Sequence, residues 1–163
     1  MPPDESELRR LLDQMAIRDL HTRYFQGCDR LSAAQIRACF AEDIEAHYPG
    51  GRLVRGLDKF MGVIFGPYLE RGGRYEKVSS SSHFMGNLCF DSLEGDTAQT
   101  ETYALISHLQ HGADEISLRN TRYVDSLRRD GTEWKICKRV VTLEWTCVVP
   151  ATFGVAGTRG PDK

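Results

Sequence analysis

The second half of this sequence is built from four long runs in which apolar and polar residues alternate. The runs cover about residues 77–91, 97–110, 116–128 and 132–147. They are separated by Glu94-Gly95-Asp96, His111-Gly112-Ala113-Asp114 and Asp130-Gly131. Alternation with a period of two is the pattern of strands with one covered face, and short Gly/Asp-rich breaks are hairpin signals. Four strands joined in this way predict an antiparallel meander. A meander with one apolar face needs a cover, and the first half of the chain must supply it.

That half reads as helical. Leu8, Leu11, Leu12, Met15, Leu20, Tyr24 and Cys28 recur at helical spacing, predicting one long helix over residues 5–29. Ser32-Ala33-Ala34-Gln35 matches a capping box and starts a short second helix reaching about Phe40. Ile44-Glu45-Ala46-His47-Tyr48 alternates like a strand and breaks at Pro49-Gly50-Gly51. A short strand at Leu53-Val54-Arg55 follows, then a third helix over about residues 57–70, ended by Gly72 and Gly73. The expected fold class is α+β: a cone-shaped, curved, mainly antiparallel sheet wrapped around N-terminal helices, its mouth forming a ligand pocket. A flexible start at residues 1–7, one domain at 8–149 and a loose tail at 150–163 complete the division.

Composition narrows the function classes. The formal net charge is −2 over 163 residues, with 40% hydrophobic and 27% charged residues and no basic block. Nucleic acid and acidic membrane surfaces are thus not expected partners. The N-terminus has no signal-peptide pattern and no apolar run approaches ~20 residues, so a cytoplasmic location is expected. The five cysteines are widely spaced with no Cys-x-x-Cys, which points to reduced core thiols rather than disulfides or zinc. His108-Leu109-Gln110-His111 is a weak metal signal without an acidic partner, and no metal or other cofactor is expected.

Strand alternation sorts the polar candidates. His83 shares a face with Ser79, Ser81, Met85, Asn87 and Cys89, and His108 with Ala98, Thr100, Thr102, Ala104 and Ile106. Arg139 shares one with Cys137, Val141 and Leu143, and Tyr48 with Ile44 and Ala46. Tyr24 lies on the stripe of the long helix, and Asp29 at its end. A carboxylate that orients an imidazole in an apolar pocket is the minimum equipment for proton transfer near neutral pH, and Asp29 with His83 could form that pair. Leu105, Leu109, Trp134, Ile136 and Val140 fall on the opposite sheet face and could form an association surface.

The run Ala16-Ile17-Arg18-Asp19-Leu20-His21-Thr22-Arg23-Tyr24, leading to Cys28-Asp29-Arg30, is followed in order by Cys39-Phe40-Ala41-Glu42-Asp43 and Gly56-Leu57-Asp58-Lys59-Phe60. Ser82-His83-Phe84-Met85-Gly86-Asn87, Gly95-Asp96-Thr97-Ala98, Tyr123-Val124-Asp125 and Trp134-Lys135-Ile136-Cys137-Lys138-Arg139 complete the series. With these motifs the chain resembles, over about residues 8–146, the SnoaL-like branch of the nuclear transport factor 2-like superfamily. Within that branch it is similar to bile-acid 7α-dehydratases, and it is related to scytalone dehydratase and hexachlorocyclohexane dehydrochlorinase. The resemblance implies an Asp29–His83 dyad, catalytic roles for Tyr24, Tyr48 and Arg139, and a substrate-binding place for His108. It also implies a homodimer or homotrimer. The expected activity is a cofactor-independent dehydratase acting on a small hydrophobic cyclic or polycyclic hydroxy-ketone. An isomerase or cyclase would use the same parts, and a non-catalytic ligand-binding domain, like a dioxygenase small subunit, would use the same fold.

Overall fold

The computed structural model describes residues 4–69, 78–110 and 114–151. The expected Gly72–Gly73 break, His111 and the tail beyond Ala151 lie outside the described residues. The chain forms α1 (Glu5–Arg30), α2 (Ala33–Arg37), β1 (Phe40–Tyr48), β2 (Arg52–Arg55), α3 (Leu57–Leu69), β3 (Val78–Glu94), β4 (Thr97–Gln110), β5 (Glu115–Asp130) and β6 (Glu133–Pro150).

A capping box starts α1: Asp4 Oδ1 accepts from the Ser6 and Glu7 amides, and Glu7 accepts from the Asp4 amide. Residues 5–7, assigned to a flexible start from the sequence, are thus its first turn. The buried stripe of α1 is Asp13, Ile17, Leu20, His21, Tyr24, Phe25 and Cys28. Leu8, Leu11, Leu12 and Met15, expected on that stripe, are 50–62% exposed, because they lie on the helix face opposite Asp13, Ile17 and Leu20. At α2 only half of the expected box forms. Ser32 Oγ accepts from the Gln35 amide, while the Gln35 side chain donates to the Arg23 carbonyl on α1. The helix stops at Arg37, and Phe40, expected to end it, begins β1.

The six strands form one curved, open, mixed sheet in the order β2-β1-β6-β5-β4-β3. The meander from β3 to β6 is antiparallel throughout, with Gly95 and Gly131 at φ 55° and 62° in its tight turns. β1 adds to the far side of β6 in parallel, so the first strand of the chain sits beside the last. The helices lie against the inner face. The core between them contains Ile17, Leu20, Phe25, Ile44, Phe60, Leu127 and Ile136.

β-bulges change which residues share a face. Between Met85↔Ala104 and Leu88↔Thr102, β3 carries one extra residue. The alternation therefore flips after Met85: Leu88 is buried, and Cys89, expected on the His83 face, is exposed, as is Asn87. A second bulge lies in β6 between Ile136 and Lys138. It places Trp134 and Ile136 on the same inner face as Arg139, at 3% and 0% exposure. These two residues belong to the core and not to the outer surface expected for them. The exposed apolar residues of that outer face include Phe84, Leu105 and Trp145.

Candidate active site

The last turn of α1 meets the edge strand β3 at Asp29. An edge strand has outward amides without strand partners, and Asp29 satisfies one of them. Its Oδ2 accepts the His83 amide at 3.1 Å, and its Oδ1 accepts from His83 Nδ1 at 2.7 Å. Ser81 Oγ adds a longer contact to Oδ1 at 3.4 Å. Both carboxylate oxygens are held, so the imidazole is fixed in orientation and Nε2 is left for chemistry. Phe25, one turn before Asp29, stacks on the His83 ring at 5.9 Å and 27°. The His108 ring approaches edge-on at 6.1 Å.

His83 and His108 line a cavity of about 220 Å³ together with Tyr24, Cys28, Tyr48, Val63, Ile64, Ile106, Arg119, Tyr123, Arg139 and Val141. Five of the six candidate residues therefore face one cavity, and the sixth, Asp29, holds His83 from behind. They come from α1, β1, β3, β4 and β6, brought together by the curvature of the sheet. Burial raises the Tyr24 pKa well above its ordinary value and raises that of Tyr48 as well, so both phenols stay protonated donors. Burial also pushes the Cys28 thiol up to about 12, which removes it as a nucleophile near neutral pH.

Arg139 does not reach Asp29. It is 1% exposed and makes a two-pronged ion pair with Asp125, Nε–Oδ1 at 2.8 Å and Nη2–Oδ2 at 2.7 Å. Its guanidinium carbon lies 4.2 Å from the Tyr24 ring centroid, 4.7 Å from that of Tyr123 and 5.0 Å from that of Phe40. Burial alone would lower the Arg139 pKa; the Asp125 charge overrides it and the net shift is upward. Arg139 Nη1 makes no hydrogen bond among the described residues. On the other side of Asp125, His21 Nδ1 lies 3.8 Å from Oδ2 and His21 Nε2 lies 3.2 Å from Thr100 Oγ1.

Phe25, Tyr123, Asp125 and Arg119 were not expected at this site. A signal for two of them existed: alternation along β5 puts Tyr123 and Asp125 on one face with Leu127. An acid on an apolar face, facing a buried arginine, is a mutual requirement of the two charges. Phe25 had a weaker signal, its i, i+4 spacing from Asp29.

The profile of the family described as SnoaL-like domain matches residues 9–140. No curated protein matches the chain significantly by sequence. Similar solved structures include one from Novosphingobium aromaticivorans provisionally named a scytalone dehydratase, with TM-score 0.72 and 20% identity over 94% of this chain and 97% of that one. A type-3 hexachlorocyclohexane dehydrochlorinase from Novosphingobium barchaimii has TM-score 0.75 and 17% identity, covering 92% of this chain and 99% of that one. An NTF2-like protein with a cystatin-like fold from N. aromaticivorans has TM-score 0.69 and 21% identity, covering 88% and 92%. At these identities the likeness is one of fold.

Proposed function

The chain belongs to the SnoaL-like domain family, and from that premise we propose that it is a cofactor-independent lyase that eliminates water from a small cyclic or polycyclic hydroxy-ketone. The observation that carries this reading is the 2.7 Å hydrogen bond from His83 Nδ1 to Asp29 on the wall of a cavity of mixed apolar and polar lining. Nε2 of His83 removes the proton next to the substrate carbonyl. The electron pair moves onto the carbonyl oxygen, where Tyr24 and Tyr48 donate hydrogen bonds to the forming enolate. The enolate then collapses, the β-hydroxyl departs, and the His83 imidazolium supplies the proton that completes water. Asp29 stabilises the imidazolium between these two transfers. Arg139, held by Asp125 over the Tyr24 ring, makes that phenol a stronger donor. His108 contacts the substrate beside the base. A related pair of names, dehydratase and dehydrochlorinase, occurs among the similar structures, and both describe eliminations.

The test is a screen of small cyclic hydroxy-ketones for absorbance of the α,β-unsaturated product. Wild type should turn over at least one, and His83→Ala should be slower by ~10²–10⁴-fold, the usual contribution of a positioned acid–base group. Asp29→Asn should fall in the same direction. Equal turnover by wild type and His83→Ala would remove the dyad from the mechanism. A product formed without loss of water would replace elimination with isomerisation at the same groups.

A further inference from the structure

Resting on the reading of His83 as the base, we propose that Arg119 binds a carboxylate on the substrate, so that the cavity takes ring acids in preference to neutral rings. The sheet register sets the geometry. His83 on β3 pairs with Ile106 on β4, Ile106 with Arg119 on β5, and Arg119 with Thr146 on β6. These residues form one row across the inner face. Two strand spacings separate the His83 and Arg119 backbones, ~10 Å. The apolar Ile106 lies between them and also lines the cavity. A ring resting on Ile106 would present one side to the imidazole and the other to the guanidinium.

The charge balance of the cavity supports an anion there. Arg139, the other cavity cation, is already neutralised by Asp125. Among the described residues no carboxylate pairs with Arg119, and none lines the cavity. The inner-face neighbours of Arg119 on adjacent strands are Ala104, Ile106 and His108 on one side and Leu143, Thr146 and Val148 on the other. None of these is an acid. A partly buried guanidinium without a counter-charge favours an anionic ligand, and its planar fork suits a carboxylate.

Binding, rather than turnover, tests this. 1-Naphthoate and its neutral amide, 1-naphthamide, are titrated calorimetrically into wild type at neutral pH. The acid should bind roughly 10–100-fold more tightly, the range of a charge-assisted hydrogen bond. Arg119→Gln should abolish the preference, and Arg119→Lys should keep part of it, with thermal unfolding confirming that both variants fold. His83→Ala should keep the full preference, because the base takes no part in holding the acid. Equal binding of acid and amide, a preference that survives Arg119→Gln, or no binding of either probe would each overturn the proposal. The preference for the acid would stand even if no hydroxy-ketone were dehydrated, so the two readings fail separately.

Discussion

Among the described residues, Arg139 and Asp125 form the most deeply buried arginine–carboxylate pair. Both side chains are essentially sealed from water, at 1% and 0% exposure. Desolvating two ions costs several kcal/mol each, and only their mutual attraction and hydrogen bonds offset it. Removing one partner strands the other. Asp125→Ala should therefore lose ~3–5 kcal/mol of stability in urea denaturation, and Arg139→Met should lose about as much. The double variant Asp125→Leu/Arg139→Met leaves no buried charge and should recover most of that loss. A double variant as unstable as the worse single one would show that the pair contributes more than its own charge balance. Keeping such a pair when an apolar replacement is nearly neutral fits a role at the cavity, where the guanidinium faces Tyr24 and Tyr123.

Among the elements, α1 and α2 approach closely at Gly27. A Cβ on Gly27 would lie 2.8 Å from Ile36 Cγ1. Replacing glycine by alanine inside a helix ordinarily gains ~0.5–1 kcal/mol. At Gly27 the overlap reverses the sign, and Gly27→Ala should cost ~1–3 kcal/mol, the usual range for overpacking. Gly62 in α3 has open space around its Cβ position and serves as the control: Gly62→Ala should be neutral or stabilising. Thermal unfolding of both variants decides the matter, and a stabilised Gly27→Ala would contradict the close packing. Asp29 lies only two residues further along α1, so a shift here should also slow turnover. The elements themselves were legible in the sequence, because turn chemistry at Gly95 and Gly131 and the period-two alternation are local signals. The pairing of Asp29 with His83 was legible only through the family resemblance, since no local pattern joins the two residues. The bulges were not. An extra residue near Gly86 or Cys137 leaves the strand pattern intact on each side and shows only in the pairing with the next strand. That is why Cys89, Trp134 and Ile136 were expected on the wrong faces. The link from β1 to β6 is likewise a contact between distant segments that no local pattern encodes.

At the scale of the whole molecule, a polar seam crosses the interface between helix and sheet: His21 on α1, Thr100 on β4, Asp125 on β5 and Arg139 on β6. Its effect on the fold is a sensitivity to acid. Burial lowers the His21 pKa from 6.5 to about 4; the Asp125 charge opposes this shift, and Arg139 adds to it. The unfolded chain therefore binds a proton at His21 as pH falls below about 6.5, while the folded chain declines it until about 4. Stability is unaffected above that window and is lost within it as pH falls, by up to about 3 kcal/mol for a displacement of this size. Carboxylates held low in the fold, such as Asp13 and Asp43, begin to contribute only nearer pH 4, because their unfolded value is 3.8. The interval from pH 6.5 to 4.5 thus separates His21 from those carboxylates, and the comparison with a His21 variant separates it from the other histidines. Unfolding free energies from urea titrations at pH 7, 6 and 5 should fall with a slope approaching ~1.4 kcal/mol per pH unit. His21→Gln, which keeps a hydrogen-bonding group for Thr100, should flatten that slope. An NMR titration of the folded protein gives an independent reading: the His21 imidazole should remain neutral at pH 5. A His21 resonance that titrates near 6.5, or a slope unchanged in His21→Gln, would mean that the seam admits the proton and that the acid sensitivity of the fold lies elsewhere.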